Sequence, residues 1–217
     1  MWGKRCMPNS SDGMRASSAC HEQPLIIHGS SILAGFTEQD APNFSFRSPP
    51  CSFYSGTKAF GEEILQDRDN IFLWRLRIPF DHLDNPRNYL TKIQSYARVY
   101  DNVNSLSHRS DFARACIELW ELRADFGTYN VTNPGWVTTR QVAKLLRKKL
   151  AIDRPFEYFE NDADFYQTTV APRSNTILDC SKLLAAGIHL RGVEAALDDA
   201  LTHWTSQVKS DTGYKKG

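Results

Sequence analysis

At 217 residues, with 41% hydrophobic and 24% charged content, the chain has enough apolar surface for one sizeable core, or for a core and a small second lobe. A formal net charge of +1 gives no electrostatic reason to expect nucleic acid as a partner, and apolar runs such as 71–74 fall far short of a membrane span. Cys6, Cys20, Cys51, Cys116 and Cys180 are odd in number and show no C-x-x-C pair, which argues for reduced, packed thiols and against zinc or redox work; with no apolar segment following Met1, a cytoplasmic protein is expected.

Residues 1–15 are polar and aperiodic, so an irregular terminus is expected there, with a flexible tail over 209–217. The stretch 36–50 carries Pro42, Pro49 and Pro50 and reads as a surface loop. Residues 53–66 have helical composition and end in the polar Asp67-Arg68-Asp69-Asn70 turn. The apolar run 71–78, closed by Pro79, suits a buried strand of a parallel sheet. Helix, turn and buried strand in succession are the rhythm of an α/β fold.

Further on, 87–97 reads as a short helix, and Ser110 is placed to cap another that lines up Phe112, Cys116 and Leu119. A strand is expected over 127–132 before the Asn133-Pro134-Gly135 turn. Thr138 and Gln141 have the spacing of a capping box opening a helix to about Leu150. A short strand over 156–159, a helix stop at Gly187 and an amphipathic helix over 193–208 complete the expected elements.

Tyr54 and Lys58 are four residues apart at the head of the first helix and share one of its faces. A phenol has a pKa of about 10, and a fixed cation beside it favours the phenolate and so eases proton transfer. Taken alone, the pair reads more readily as a half-buried tyrosine beside a solvated lysine. Arg173, after Pro172, is a fork that suits phosphate oxygens or a plain surface arginine. The six histidines show no metal-ligand spacing, and no metal site is expected.

The surrounding motifs are more specific. Tyr54-Ser55-Gly56-Thr57-Lys58-Ala59, Arg75-Leu76-Arg77-Ile78-Pro79, the segment Asn85 to Lys92, Tyr129-Asn130-Val131-Thr132-Asn133-Pro134-Gly135 and Val170-Ala171-Pro172-Arg173-Ser174-Asn175 with Leu178-Asp179 together resemble the extended short-chain dehydrogenase/reductases. Within these the chain is similar to the dTDP-4-dehydrorhamnose reductases and the UDP-4-keto-6-deoxyglucose 3,5-epimerase/4-reductases of rhamnose synthesis. The likeness runs from about Ala16 to about Val208.

The resemblance implies an NADP- or NAD-dependent 4-reductase with 3,5-epimerase character, acting on a dTDP- or UDP-4-keto-6-deoxyhexose. Tyr54 would protonate the C4 oxygen, and Lys58 would hold the nicotinamide ribose; Pro79 would also line the cofactor. Two places compete for the serine that stabilises the substrate oxygen. Ser30 and Ser31 look like a strand-end serine, but Ser18 is preferred because HGSSILAGF resembles the loop that follows that serine in the family. That choice puts Cys20 and Lys92 at the epimerase positions, where a C4 ketone acidifies the C3 and C5 protons. Asn85, Arg87, Asn88 and Arg173 would contact the nucleotide sugar.

One part of the family pattern is missing. A dinucleotide needs a strand, a glycine turn and a helix N-terminus, yet the sequence contains neither G-x-G-x-x-G nor G-x-x-G-x-x-G, and seventeen residues precede Ser18. The expected architecture is therefore α/β, a truncated Rossmann-like parallel sheet with a small C-terminal α/β substrate lobe. Its divisions would be an irregular 1–15, core elements over 16–80, a substrate lobe with returning core elements over 81–208, and the tail. Without the cofactor motif, activity itself is open. The competing expectations are a non-catalytic remnant that binds a nucleotide sugar or a protein, a homo-oligomer, or a separate chain covering an exposed sheet edge.

Overall fold

The computed structural model describes residues 25–28, 31–40, 45–47, 51–169 and 176–206. The expected irregular terminus and tail lie outside the described residues. The elements begin with β1 (Leu25–His28), β2 (Ser31–Ala34), α1 (Phe53–Leu65), β3 (Phe72–Arg75), β4 (Pro79–Phe80) and β5 (Leu83–Asp84). Next come α2 (Tyr89–Ser95), β6 (Arg98–Val99), β7 (Val103–Asn104), β8 (Ser107–His108), α3 (Arg109–Glu121), β9 (Gly127–Asn130) and β10 (Val137–Thr138). The chain continues through α4 (Thr139–Leu150), β11 (Glu157–Tyr158), α5 (Asp162–Tyr166), α6 (Ser181–Ala185), α7 (Val193–Thr202) and β12 (Thr205–Ser206).

Parallel pairing dominates, as the α/β reading requires. β3 lies beside β9 with Phe72 opposite Gly127 and Arg75 opposite Asn130, and β4–β8, β6–β11 and β5–β12 are parallel too. β1–β2 and β7–β10 are antiparallel. Successive side chains of β3 point to opposite faces. Arg75 therefore reaches one way, to an ion pair with Glu62 of α1, while Phe72 packs the other way near Ala115 and Leu119 of α3. The β3–β9 pair is thus sandwiched between α1 and the α3–α6 layer.

A second, larger core lies among α2, α4 and α7, where Leu90, Ile93, Val142, Leu146 and Leu197 close around Phe80 and Val99. Thr138 and Gln141 form the expected capping box, the Thr138 hydroxyl accepting the Gln141 N–H at 3.1 Å and the Gln141 side chain accepting the Thr138 N–H at 2.7 Å. α6 stops where Gly187 takes a φ of +87°, a conformation that glycine adopts without a Cβ clash.

Several expectations need correction. The run 71–78 is not one buried strand: β3 ends at Arg75, Ile78 turns at a φ of +41°, and Pro79 opens β4 instead of closing the strand. Trp74 and Leu76 remain 42% and 44% exposed, and β9 is the sole partner of β3 among the described residues. α3 begins before Ser110, since the His108 N–H is held by the Asn133 side chain at 2.7 Å. The last helix stops at Thr202, and the chain returns as β12 beside β5, its Thr205 N–H donating to the His82 carbonyl at 2.9 Å. Within the expected loop 36–50, Phe36 is stitched to strand-like backbone, giving its N–H to Ile177 and accepting from Asp179, each at 2.8 Å. Among the described residues no helix is long and apolar enough to cross a membrane.

Candidate active site

Ser52 caps α1 by accepting the Ser55 N–H at 3.1 Å, and the helix turns Ser55, Gly56 and Ala59 inward. Those small groups leave room for the Phe46 ring, which lies so close over Gly56 that a Cβ there would stand 2.3 Å from it. The neighbouring stripe carries Tyr54 and Lys58 outward. Tyr54 is 56% exposed and the Lys58 ammonium stands 5.5 Å from the centre of its ring, a cation–π separation. The two side chains converge.

Their place in the fold follows from the connection. A short turn joins α1 to β3, and the Glu62–Arg75 ion pair ties the helix to the carboxyl end of β3. Open parallel sheets bind ligands at that edge. Two segments leave it, 76–92 and 131–135, and the first carries Pro79, Asn85, Arg87, Asn88 and Lys92 of the remaining expected site residues.

In the first of these, Arg77 is buried and its Nε donates to the Asn104 side chain at 3.1 Å; burial lowers its pKa to about 10. Pro79 is exposed at the start of β4. The Asn85 side chain accepts the Arg87 N–H at 2.9 Å, leaving the Arg87 side chain in solvent. Asn88 is fully buried: its amide donates to the Asp81 carbonyl and carboxylate, both at 2.9 Å, and to the Leu83 carbonyl at 2.7 Å, while its oxygen caps α2 at the Leu90 N–H. Its hydrogen-bonding groups are engaged within the chain. Lys92 is exposed on α2. Ser18, Cys20, Arg173 and Ser30 lie outside the described residues, and Ser31 opens β2 opposite His28.

Residue-level reading missed a buried polar network. Asp111 accepts from Asn133 Nδ2 and Arg191 Nε, both at 2.8 Å; Arg191 also reaches Asp199 at 2.6 Å and the His108 Nδ1 at 3.3 Å. Asn130 joins another. Its N–H donates to Glu38 at 2.8 Å and its amide to the carbonyls of Phe36 and Asp179, at 2.9 and 2.8 Å. Asn130, Asn133 and Asp179 all belong to the motifs quoted above, which was the available signal; here they fasten loops to the sheet. Burial pushes the Cys116 and Cys180 thiols up to about 11, leaving them protonated at neutral pH. An open cavity of about 450 Å³ between α4 and α7, lined by Val137, Leu145, Glu194 and Asp198 among others, touches no residue of α1. No group of three or more His, Cys, Asp or Glu among the described residues is placed to hold a metal.

Comparison with known protein families by sequence profile gives no match. Among individual proteins, a bifunctional dTDP-4-dehydrorhamnose 3,5-epimerase/dTDP-4-dehydrorhamnose reductase of Arabidopsis thaliana is 36% identical over 164 residues, 75% of this chain and 52% of the plant protein. The chain is homologous to the dTDP-4-dehydrorhamnose reductases over part of their length. The crystal structure of the L780 UDP-rhamnose synthase from Acanthamoeba polyphaga mimivirus matches this chain with a TM-score of 0.69 at 28% identity, over 78% of this chain and 57% of that one. A dTDP-4-dehydrorhamnose reductase from Bacillus anthracis, solved in complex with NADP, shares the fold with a TM-score of 0.61 at 16% identity, over 78% and 58% of the two chains. The chain thus spans about half the length of the plant relative and of these family structures.

Proposed function

We propose that this chain contributes the proton-transfer end of a nucleotide-sugar 4-reductase with 3,5-epimerase character, acting on a dTDP- or UDP-4-keto-6-deoxyhexose. One observation carries the reading: Tyr54 and Lys58 converge on an exposed face of α1, the helix tied by Glu62 to Arg75 at the carboxyl end of β3. Neither the Tyr54 hydroxyl nor the Lys58 ammonium has a hydrogen bond or ion pair among the described residues, so both are available to a ligand. The activities of the plant relative support the choice of substrate class.

A nicotinamide cofactor fits in part. Tyr54 and Lys58 suit its ribose end, whereas the glycine turn that would cradle a pyrophosphate is not in this sequence. When bound, the cofactor supplies hydride to the sugar C4. Tyr54 gives its phenolic proton to the C4 oxygen, so that the carbonyl becomes a secondary alcohol. The Lys58 ammonium stabilises the negative charge left on the phenolate oxygen. Arg87 and Asn85, exposed and half-exposed on the segment leaving β4, are assigned to the nucleotide sugar along with Arg173, and Pro79 to the cofactor. Asn88 acts through the shape of that segment. Ser18 is assigned to the C4 oxygen, and Cys20 with Lys92 to proton exchange at C3 and C5.

The test is turnover of UDP-4-keto-6-deoxyglucose, followed by loss of NADPH absorbance. Removing a general acid typically costs about 10²–10⁴-fold in rate, and Tyr54→Phe is expected to fall in that range while nucleotide-sugar affinity holds. Wild-type turnover in Tyr54→Phe would overturn the assignment. Sugar binding without turnover in the wild-type chain would instead favour a binding role, the reading that the missing glycine turn supports.

A further inference from the structure

α1 carries Tyr54, Lys58 and Glu62 four residues apart, so each stands one turn beyond the last on a single stripe. Glu62 is the one carboxylate within four residues of Lys58 along the sequence. A lysine and a glutamate at this spacing are natural partners on a helix. Here they do not pair: the Lys58 ammonium lies 5.5 Å from the centre of the Tyr54 ring, and Glu62 is taken by Arg75 of β3.

Arg75 is well placed to hold that carboxylate. Its Nε donates to Glu62 Oε1 at 2.8 Å and its Nη2 donates to the same oxygen, while Nη1 donates to the carbonyls of Thr37 and Glu38 at 3.3 and 3.2 Å. The backbone that supplies those carbonyls is itself anchored, because the Glu38 carboxylate accepts the Asn130 N–H of β9 at 2.8 Å. The guanidinium is thus gripped from two sides, with its side chain 9% exposed against 19% for Glu62. A carboxylate so far out of water is costly to leave without a cation. Stripped of Arg75, Glu62 would draw in the nearest ammonium on its own helix, that of Lys58 one turn away.

We propose that Arg75 is a positioning residue for the proton-transfer pair: by claiming Glu62 it keeps that carboxylate from neutralising Lys58, and the ammonium stays with Tyr54. The inference rests on the roles given above to Tyr54 and Lys58, and Arg75 acts through Lys58. Charge, more than shape, decides the outcome of substitution. A plain brace between α1 and β3 predicts that losing either partner does similar harm and that losing both is at least as bad. Competition for Lys58 predicts a different order. Arg75→Gln alone is the worst variant, since it frees a charged Glu62, whereas Arg75→Gln combined with Glu62→Gln is milder, because no carboxylate remains to capture Lys58.

Two readouts on the full chain test the proposal. Independently of turnover, the nuclear Overhauser contact between the Lys58 ε-methylene and the Tyr54 ring is expected in the wild type, lost in Arg75→Gln and regained in the double variant. With UDP-4-keto-6-deoxyglucose and NADPH, kcat is expected to fall at least about tenfold in Arg75→Gln, short of the roughly 10²–10³-fold that deleting a stabilising donor outright costs, and to recover in the double variant. Should Arg75→Gln fail to fold, Arg75→Lys keeps a cation for Glu62, and the Lys58–Tyr54 contact is expected to survive both there and in the double variant. A contact absent from the wild type, persistent in Arg75→Gln, or missing from the double variant or from Arg75→Lys would overturn the proposal. Given a wild type that turns over, so would a double variant no more active than Arg75→Gln. A chain that reduces no sugar nucleotide in any form, yet loses and regains the contact in this order, leaves the positioning role standing and removes the reductase reading instead.

Discussion

His108 is 4% exposed, packed edge-on against Phe80 at 5.3 Å, and faced by Asp81, Asp111, Asp199 and Arg191. Burial is the largest influence on its pKa and lowers it; the nearby carboxylates oppose that shift, and the Arg191 guanidinium adds to it. The consequence for stability has a definite sign. An unfolded histidine protonates near pH 6.5, so above that value the imidazole is neutral in both states and costs nothing. Below it the unfolded chain takes up a proton that the native site resists, and stability falls until the lower native pKa is passed. His108→Gln should flatten the decline in melting temperature between about pH 7 and about pH 5. A variant whose pH profile parallels the wild type would refute this. Tyr54 and Lys58 were legible in the sequence because helical spacing is local; the environment of His108 was not, since its neighbours come from four separate segments.

Elements were legible where their signals are short-range. The capping box of α4 and the glycine stop of α6 depend on residues within a turn or two, and both stand where the spacing put them. α3 was misjudged at its start because the N–H of His108, the residue before its first turn, is satisfied by Asn133, 25 residues away in sequence. The run 71–78 misled for a related reason: apolar content marks a strand but not how many neighbours cover it. Asn88 shows the same limit within one segment. Its motif suggested ligand contact, while the structure makes it the hub of the turn before α2, with hydrogen bonds to Asp81, Leu83 and Leu90. Losing a cap costs about 1 kcal/mol and each stranded buried partner about 1–3 more, so Asn88→Ala should destabilise by at least about 2 kcal/mol in urea unfolding. Asn85→Ala, which loses only an exposed turn contact, should stay within about 0.5 kcal/mol of wild type. Equal midpoints for the two variants would remove the distinction drawn between them.

At the scale of the whole molecule, two apolar clusters must act as one. The first packs α2, α4 and α7; the second packs α3, β9 and α6. Between them stands Asp111 on α3, which binds Asn133 after β9 and Arg191 before α7, and Arg191 continues to Asp199 on α7. Asp111 is largely buried, its side chain 12% exposed, whereas Arg191 keeps a third of its side chain in water. Arg191 can therefore resolvate if its partner is lost, but the Asn133 amide, 1% exposed, cannot. Breaking a fully buried pair costs about 3–5 kcal/mol, and the solvent access of Arg191 puts Asp111→Ala below that, near about 2 kcal/mol. The more telling effect is on cooperativity. Two cores unfold together only while the energy joining them exceeds what each gains by opening alone. In Asp111→Ala, hydrogen exchange of α3 and β9 should therefore become faster than that of α4 and α7. In the wild type the slowest amides of both clusters should report the same opening free energy. If both clusters slow or quicken in step in the variant, the tie between them lies elsewhere, in the backbone links of β4 to β8 and of Val193 to Pro134.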